Sequence, residues 1–407
     1  MQNDASKKYL LLLDVKTPVH VGSGHALLKD FDFVMVGDKY YRLNPNLLIK
    51  KCIEYKIRTT RELLDKIRRH ESEVQAVSSY YGSVHVSDYE RLRERGIRVE
   101  LNNVKEHIKS GGTPIVPGST IKGLLRTALL YYLITRNDEI LESFKNHVNR
   151  VLSSIKDMIN RRRVRDVRKY IKNATLNFEQ QFLKVLWKDR YLFDVLRCLL
   201  ISDPQCIKYD LAMRCIAVME RSGNIAVAFP VETIDPPSRY QYSVILMHEL
   251  IGRITKRLQG RPFDEISDKL NILNIIIDAL CAYSLDALDF EIELLRDNFA
   301  QVRGIDRITD MLRSWKNEVE RSREKEMPIF YLKVGFATGH MHKTLDLILY
   351  KNYRDLYNSL CNVMSSIYRR TWNLMTIKLD YESFKTGNPL QIGWVSISLK
   401  EEGRNGG

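Results

Sequence analysis

The runs of residues that suit β-strands lie far apart in this chain, and helical, highly charged sequence fills the spaces between them. Tyr9, Leu10, Leu11, Leu12, Leu13, Asp14 and Val15 form a short apolar run closed by Lys16-Thr17-Pro18, which suits a buried strand better than a helix. Phe31 to Val36 and Tyr40 to Leu43 flank a Gly37-Asp38 turn and read as a hairpin. Further strands are expected at 197–204, 225–234 and 240–246. Asp235-Pro236-Pro237-Ser238 reads as a turn between the last two, because consecutive prolines fix φ and cannot donate to a ladder. A closing strand pair is expected at 329–334 and 392–399, and helical patterns occupy 44–79, 138–194, 263–323 and 355–368. Strands so placed can pair only over long sequence distances, without regular βαβ alternation, so the expected fold class is α+β. We divide the chain into an N-terminal lobe over 1–250, with a basic helical insertion at about 138–194, and a C-terminal lobe over 251–407.

Lys and Arg number 64 against 50 Asp and Glu, a net charge of +14. Such a surplus favours polyanionic partners, since neutralising phosphates releases condensed counterions. Charge alone is equally met by a merely basic soluble protein. Its densest part runs from Arg150 to Lys172, where nine basic residues, among them Arg161, Arg162 and Arg165, face Asp157 and Asp166. That helix is either an RNA-facing surface or a solvated outer face. No apolar run reaches the roughly 18 to 20 residues that cross a bilayer, and the polar start lacks a secretory pattern. No membrane partner is expected, and the expected location is cytoplasmic. Cys52, Cys198, Cys206, Cys215, Cys281 and Cys361 are scattered, without ligand spacing to one another or to His, and read as reduced thiols; no metal and no cofactor is expected.

Around Pro117-Gly118-Ser119-Thr120 the pattern changes to a helix, with Ser119 or Thr120 as cap and Leu124, Leu125, Ala128, Leu129 and Tyr132 on one apolar face. Lys122 and Arg126 are one turn apart and share a face. A helix start of this kind offers backbone N–H groups and a positive dipole end to phosphate; the bland alternative is a capped structural helix with solvated cations. Gly335, Thr338, Gly339, His340, His342 and Lys343 lie in a loop whose glycines let a ligand approach the backbone. An ordinary connection is the alternative there, and the absent Gly-Lys-Ser/Thr ending argues against a P-loop. Tyr80, Tyr81, Tyr131 and Tyr132 suit either base stacking or the core.

Val116-Pro117-Gly118-Ser119-Thr120-Ile121-Lys122-Gly123-Leu124-Leu125-Arg126 resembles the Pro-Gly-Ser-Ser-x-Lys-Gly-x-x-Arg stretch of the RAMP superfamily, the repeat-associated proteins that build type I and type III CRISPR effector complexes. Thr17 to Gly24 resembles that family's first strand and glycine turn, Ile201-Ser202-Asp203 its second-strand motif, and Leu332 to Thr344 its glycine-rich loop. Within the superfamily, that loop and Gly393-Trp394-Val395 are most similar to the fifth Csm subunit of type III-A complexes. The resemblance implies a ferredoxin-like (RRM-like) core with large helical insertions, either one such unit or one with a second, degenerate unit in the C-terminal lobe. It implies a non-catalytic subunit that caps the backbone filament, holds the 3′ part of the guide RNA, and serves guide-RNA maturation and complex assembly. The implied partners are that RNA, the neighbouring RAMP backbone subunit and other Csm subunits, with room for a host trimming nuclease. The RNA-binding residues then expected are Gly22, Ser23, Gly24, His25, Gly118, Ser119, Thr120, Lys122, Arg126, Arg161, Arg162, Arg165, Gly335, Thr338, Gly339, His340, His342 and Lys343.

A RAMP-type ribonuclease is the competing reading. His20 and His25 flank the glycine turn and suit metal-free general acid–base chemistry, whereas Asp30 and Asp32 match the region where neighbouring type III backbone subunits carry a cleaving Asp. No Tyr, Ser or Lys partner stands at a convincing position for the histidines, and Asp32, flanked by Phe31 and Phe33 in the expected hairpin, reads as a strand residue rather than a metal ligand. No zinc cluster, Gly-Gly-Asp-Asp motif or helix-turn-helix is recognisable.

Overall fold

Alternation of Tyr9, Leu11, Leu13 and Val15 against half-exposed neighbours makes Lys7–Val15 a strand with one fully buried face. The computed structural model describes residues 7–97, 99, 102–161, 164–187, 191–247, 272–368 and 376–402. Arg162 and Arg163 of the basic insertion, the 263–271 start of the expected third helical stretch and the 403–407 tail lie outside them. Twelve strands form one sheet: β1 (Lys7–Val15), β2 (Gly22–Leu28), β3 (Phe33–Val36), β4 (Lys39–Leu43), β5 (Ser78–Val84), β6 (Asn103–His107), β7 (Leu199–Ile201), β8 (Gln205–Glu220), β9 (Ile225–Leu246), β10 (Ile329–Lys333), β11 (Thr376–Asp380) and β12 (Trp394–Glu401). Its main path runs β10-β12-β1-β9-β8-β5-β4-β3, with β7 and β6 beside β9, β11 beside β8, and β2 beside β6. β1 pairs antiparallel with β9 on one side, Leu11 opposite Tyr242, and with β12 on the other, Leu11 opposite Leu399. The sheet therefore crosses residue 250, where the sequence suggested a division.

The α+β class holds, and three local expectations need correction. Asp235 to Ser238 is not a turn, because β9 runs straight through it. Opposite these residues β8 shifts register between Cys206 and Lys208 and again between Lys208 and Asp210. The prolines thus lie where the ladder is already interrupted, so their missing N–H groups cost little. β8 went unread because its first half is exposed, whereas Leu211 to Ala217 is covered on nearly every side and shows no alternation. The helical expectation for 44–79 overran into β5, and that for 138–194 ends in a hairpin of Lys184–Trp187 with Tyr191–Asp194 after helices Asp138–Asn160 and Val164–Leu183.

Helices Gly118–Thr135 and Ile272–Asn298 pack on each other and on the buried face of β1. Leu125, Ile276 and Leu280 meet Tyr9 and Leu11 there. The Tyr131 hydroxyl donates to Asp286 at 2.5 Å and its ring lies 5.3 Å from that of Tyr283, so Tyr131 is core. Among the described residues no helix is long and apolar enough to cross a membrane.

Helix Gly118–Thr135 starts differently from the expectation. Its cap is Pro117, with no side-chain cap from Ser119 or Thr120. The Gly118 N–H donates to Asp203 Oδ1 at 3.1 Å, and a Cβ on Gly118 would overlap the Ser202 carbonyl oxygen. Lys122 Nζ donates to the Leu199 carbonyl at 2.8 Å, and Arg126 pairs with Asp194. Asp203 thus supplies the negative charge that a helix start attracts, and the motif clamps the helix onto β7 and the segment after it. Gly118→Ala should lower unfolding stability by about 1–3 kcal/mol through overpacking. Gly123→Ala, with open space around its added methyl, should raise it by about 1 kcal/mol. Urea denaturation of the two variants checks the pair.

Candidate nucleic-acid interface

Glu232 sits in β9 with no exposed surface, and five neighbouring elements supply its partners. Its carboxylate accepts from Tyr40 at 2.8 Å, Tyr80 at 3.0 Å, the His107 N–H at 2.9 Å and Lys109 Nζ at 2.5 Å. Four donors around one buried charge satisfy the condition under which such a charge is tolerated. Its main-chain carbonyl accepts from His20 Nδ1 at 2.6 Å. A carbonyl can only accept, so the His20 proton is on Nδ1 and Nε2 carries the lone pair. His107 has the opposite tautomer: Nε2 donates to the Ile115 carbonyl at 2.9 Å and Nδ1 accepts from the Val21 N–H at 3.1 Å. Burial lowers the pKa of His20 to about 4 and that of His107 to about 3, so both rings are neutral near pH 7.

The 335–344 loop lies over a second buried carboxylate. Glu291, on helix Ile272–Asn298, accepts from Lys333 Nζ at 2.6 Å, His342 Nε2 at 2.7 Å and Gln391 Nε2 at 2.7 Å. Burial pushes its proton affinity up, but the Lys333 charge and the His342 bond outweigh this and hold it well below the usual carboxylate range. Two glycines let the loop come down. A Cβ on Gly335, at φ +85, would overlap the His20 carbonyl, and one on Gly393, at φ +97, would overlap Thr338. The Phe336 N–H donates to the His20 carbonyl at 2.7 Å.

Three expected RNA contacts in this loop therefore face inward. His342 is buried on Glu291, and Thr338 is buried with its hydroxyl on the Gly335 carbonyl. His340 is half-buried, 3.3 Å from the Tyr357 hydroxyl, with its pKa lowered to about 4 by burial. What the loop turns outward is Phe336, Gly339, Lys343 and Thr344.

Phe336, which is 38% exposed, packs edge-on against Phe229 at 5.6 Å and His20 at 5.7 Å, and Lys105 Nζ lies 5.4 Å from its ring centre. Phe229 belongs to the sheet face on which Val218, Val227 and Lys378 form one row across β9, β8 and β11. Burial and the neighbouring Lys333 charge lower the Lys378 proton affinity, with Glu291 opposing. The uncovered part of this face thus combines aromatic rings, small apolar side chains and cations, the combination that holds single-stranded nucleic acid by stacking and charge. Phe336 could have been found in the sequence as the aromatic residue inside the loop. Phe229, Lys105 and Lys378 carried no such signal, because only strand pairing brings them together.

The other expected residues are dispersed. Gly22, Ser23, Gly24 and His25 are not a free turn but the bulged start of β2, exposed beside the interface. Ser23 there donates to Glu106 at 3.2 Å and accepts the His25 N–H at 3.1 Å. Arg161 and Arg165 are exposed where the two insertion helices meet, and Arg162 lies outside the described residues. Gly118, Lys122 and Arg126 make the internal bonds given above, while Ser119 is exposed and Thr120 half-buried. Asp30 pairs with Arg68 at 2.7 Å and Asp32 with Arg42 at 2.9 Å. Among the described residues no group of His, Cys, Asp and Glu could hold a metal ion.

The family model for the RAMP superfamily matches residues 12–259. The chain belongs to the RAMP superfamily. Among solved structures, this RAMP protein is similar to a chain of a Csm–crRNA–target RNA ternary complex of a type III-A CRISPR-Cas system, with 19% identity, a TM-score of 0.57, and coverage of 96% of this chain and 100% of that one. It is also similar to T. onnurineus Csm5, with 16% identity, a TM-score of 0.57, and coverage of 94% and 99%. These likenesses concern the fold. No curated protein matches.

The neutral histidines give the RAMP protein a pH dependence. His20, His107 and His340 have folded pKa values of about 4, 3 and 4, below the ordinary 6.5. Below pH 6.5 the unfolded chain binds protons that these three folded rings refuse, so their contribution to stability falls as pH drops from there towards 4 and is level above, while the buried Asp346 carboxyl, pushed up to about 6, opposes them with a single proton. Denaturation midpoints should be lower at pH 5 than at pH 7.5. His20→Asn should reduce that slope; an unchanged slope would remove His20 from the account.

Proposed function

We propose that this protein is a non-catalytic guide-RNA-binding subunit of a type III-A Csm effector complex, capping the backbone filament at the 3′ part of the crRNA and needed for crRNA maturation and complex assembly. The observation that carries the RNA-binding part is Phe336, held outward by the pinned loop beside Phe229 and Lys105, on a sheet face that also carries Lys378. A net charge of +14 supports a polyanionic partner. The fold likeness to a chain of a Csm–crRNA–target RNA complex and to Csm5 supports the Csm assignment, with the neighbouring backbone subunit and other Csm subunits as further partners.

In this reading the core is ferredoxin-like. Four adjacent strands in the order β12-β1-β9-β7, with helix Gly118–Thr135 after β1 and helix Ile272–Asn298 after β9, match the order such a unit requires. β2 to β6, the basic helices and the 335–344 loop are then additions to one unit. The absence of catalysis is part of the proposal. Asp30 and Asp32 are engaged by arginines, and His20 is 2% exposed beneath Phe336.

Purified protein should bind single-stranded RNA with steep salt dependence and leave it intact with or without magnesium. Phe336→Ala should weaken binding roughly ten-fold, the loss of about one stacked base. Lys122→Ala should lower stability and leave affinity nearly unchanged. RNA fragments, or affinity lost in Lys122→Ala and kept in Phe336→Ala, would sink the reading.

A further inference from the structure

Helices Asp138–Asn160 and Val164–Leu183 lean against helix Arg354–Tyr368 through Leu152, Ile155, Val167 and Val363. Between them, the Gly118–Thr135 helix and the end of the 335–344 loop lies an open cavity of about 350 Å³. That volume is at the low end for small-molecule sites. Its walls are apolar and partly aromatic: the Phe144 and Phe178 rings are 5.4 Å apart and His147 lies 4.8 Å from Phe178. Polar groups reach it from the loop side, where Lys343, Thr344 and Asp346 follow one another, and from the Gly118–Thr135 helix, where Thr127 lines it together with Arg126, itself paired with Asp194.

Lys343 is the telling residue. Its ammonium has no hydrogen-bond or carboxylate partner among the described residues, and partial burial lowers its proton affinity. A cation partly withdrawn from water at the mouth of an apolar cavity is completed by an anion that carries a flat apolar body. The outer faces of the cavity's own helices add to the field, since Arg150, Lys156, Arg161 and Arg165 are all exposed there. Thr344 and Asp346 at the mouth already bond within the loop, the Thr344 hydroxyl to the His340 carbonyl at 3.0 Å and the Asp346 N–H to the Thr344 hydroxyl at 3.2 Å. The occupant is therefore set by the aromatic walls and the Lys343 charge, and a nucleobase with its phosphate brings a flat ring to the first and an anion to the second.

We propose that this cavity takes one unstacked base of a single-stranded RNA, with an adjoining phosphate on Lys343. The inference rests on the RNA-binding reading above and adds a second, separate holding point about which the sheet face says nothing. The strand would pass from the Phe336 platform along the loop and place one nucleotide between the insertion helices.

The test uses the full chain with two probes, a 15-nucleotide oligouridylate and an abasic oligomer with the same phosphates. Val151→Trp fills the cavity from its wall. It should weaken oligouridylate binding roughly ten-fold, the loss of one stacked base, and leave binding of the abasic oligomer unchanged. Lys343→Ala should weaken both and lower the salt slope by about one unit. Should Val151→Trp not fold, as read by its melting curve, Ala174→Leu is the smaller filling variant and carries the same expectation. Equal binding of oligouridylate by the filled and the original protein, or an equal loss for both probes, overturns the cavity proposal and leaves the sheet-face reading standing. Failure of the unaltered protein to bind either probe overturns both.

Discussion

The Phe336 N–H meets the His20 carbonyl at 2.7 Å, and the space for that contact exists only because Gly335 has no side chain. Around this point the two ends of the chain are tied together. The Gly393 N–H donates to the Pro18 carbonyl at 2.9 Å, the Val334 N–H to the Gly393 carbonyl at 2.8 Å, and the Trp394 N–H to the Thr17 hydroxyl at 2.9 Å. Three segments, the first more than three hundred residues from the other two, thus share one knot of hydrogen bonds. Everything the surface presents near Phe336 depends on it, since the loop has no strand or helix of its own to fix it.

Two buried glutamates stand on either side of the knot and give it polarity. Glu232 is matched by Lys109 and Glu291 by Lys333, each with further neutral donors. Removing one partner of such a pair leaves an uncompensated buried charge, at a cost of about 3–5 kcal/mol. The lysines that satisfy these carboxylates are withdrawn from solvent, and so are His107 and His342. The cations left for an external polyanion are others: Lys105 beside the exposed ring, Lys378 on the same sheet face, and Lys343 at the end of the loop by the insertion helices.

The sequence made the strand at Lys7–Val15, the hairpin at 33–43, the closing strands and the α+β class legible, because each has a clear apolar pattern or turn residue nearby. It concealed β8, where coverage on both faces erases alternation, and β9, whose proline pair looks like a turn until the bulges opposite it are known. The motif at 116–126 was readable as a signature but not as a clamp. Nothing in the spacing of Lys122 and Arg126 reveals that Leu199 and Asp194 will receive them. For the same reason the loop histidines looked like surface groups. His342 is taken by Glu291, some fifty residues away in sequence, and His340 by Tyr357.

The central claim is that RNA lies on the Phe336 face and that the Gly118 helix start is internal architecture. Photo-crosslinking of the purified protein to single-stranded RNA containing 4-thiouridine, with the adducts located by mass spectrometry, addresses it most directly. The account predicts adducts at Phe336, Phe229, Lys105 and Lys378. Adducts concentrated at Ser119 and Lys122, with none on the sheet face, would contradict it.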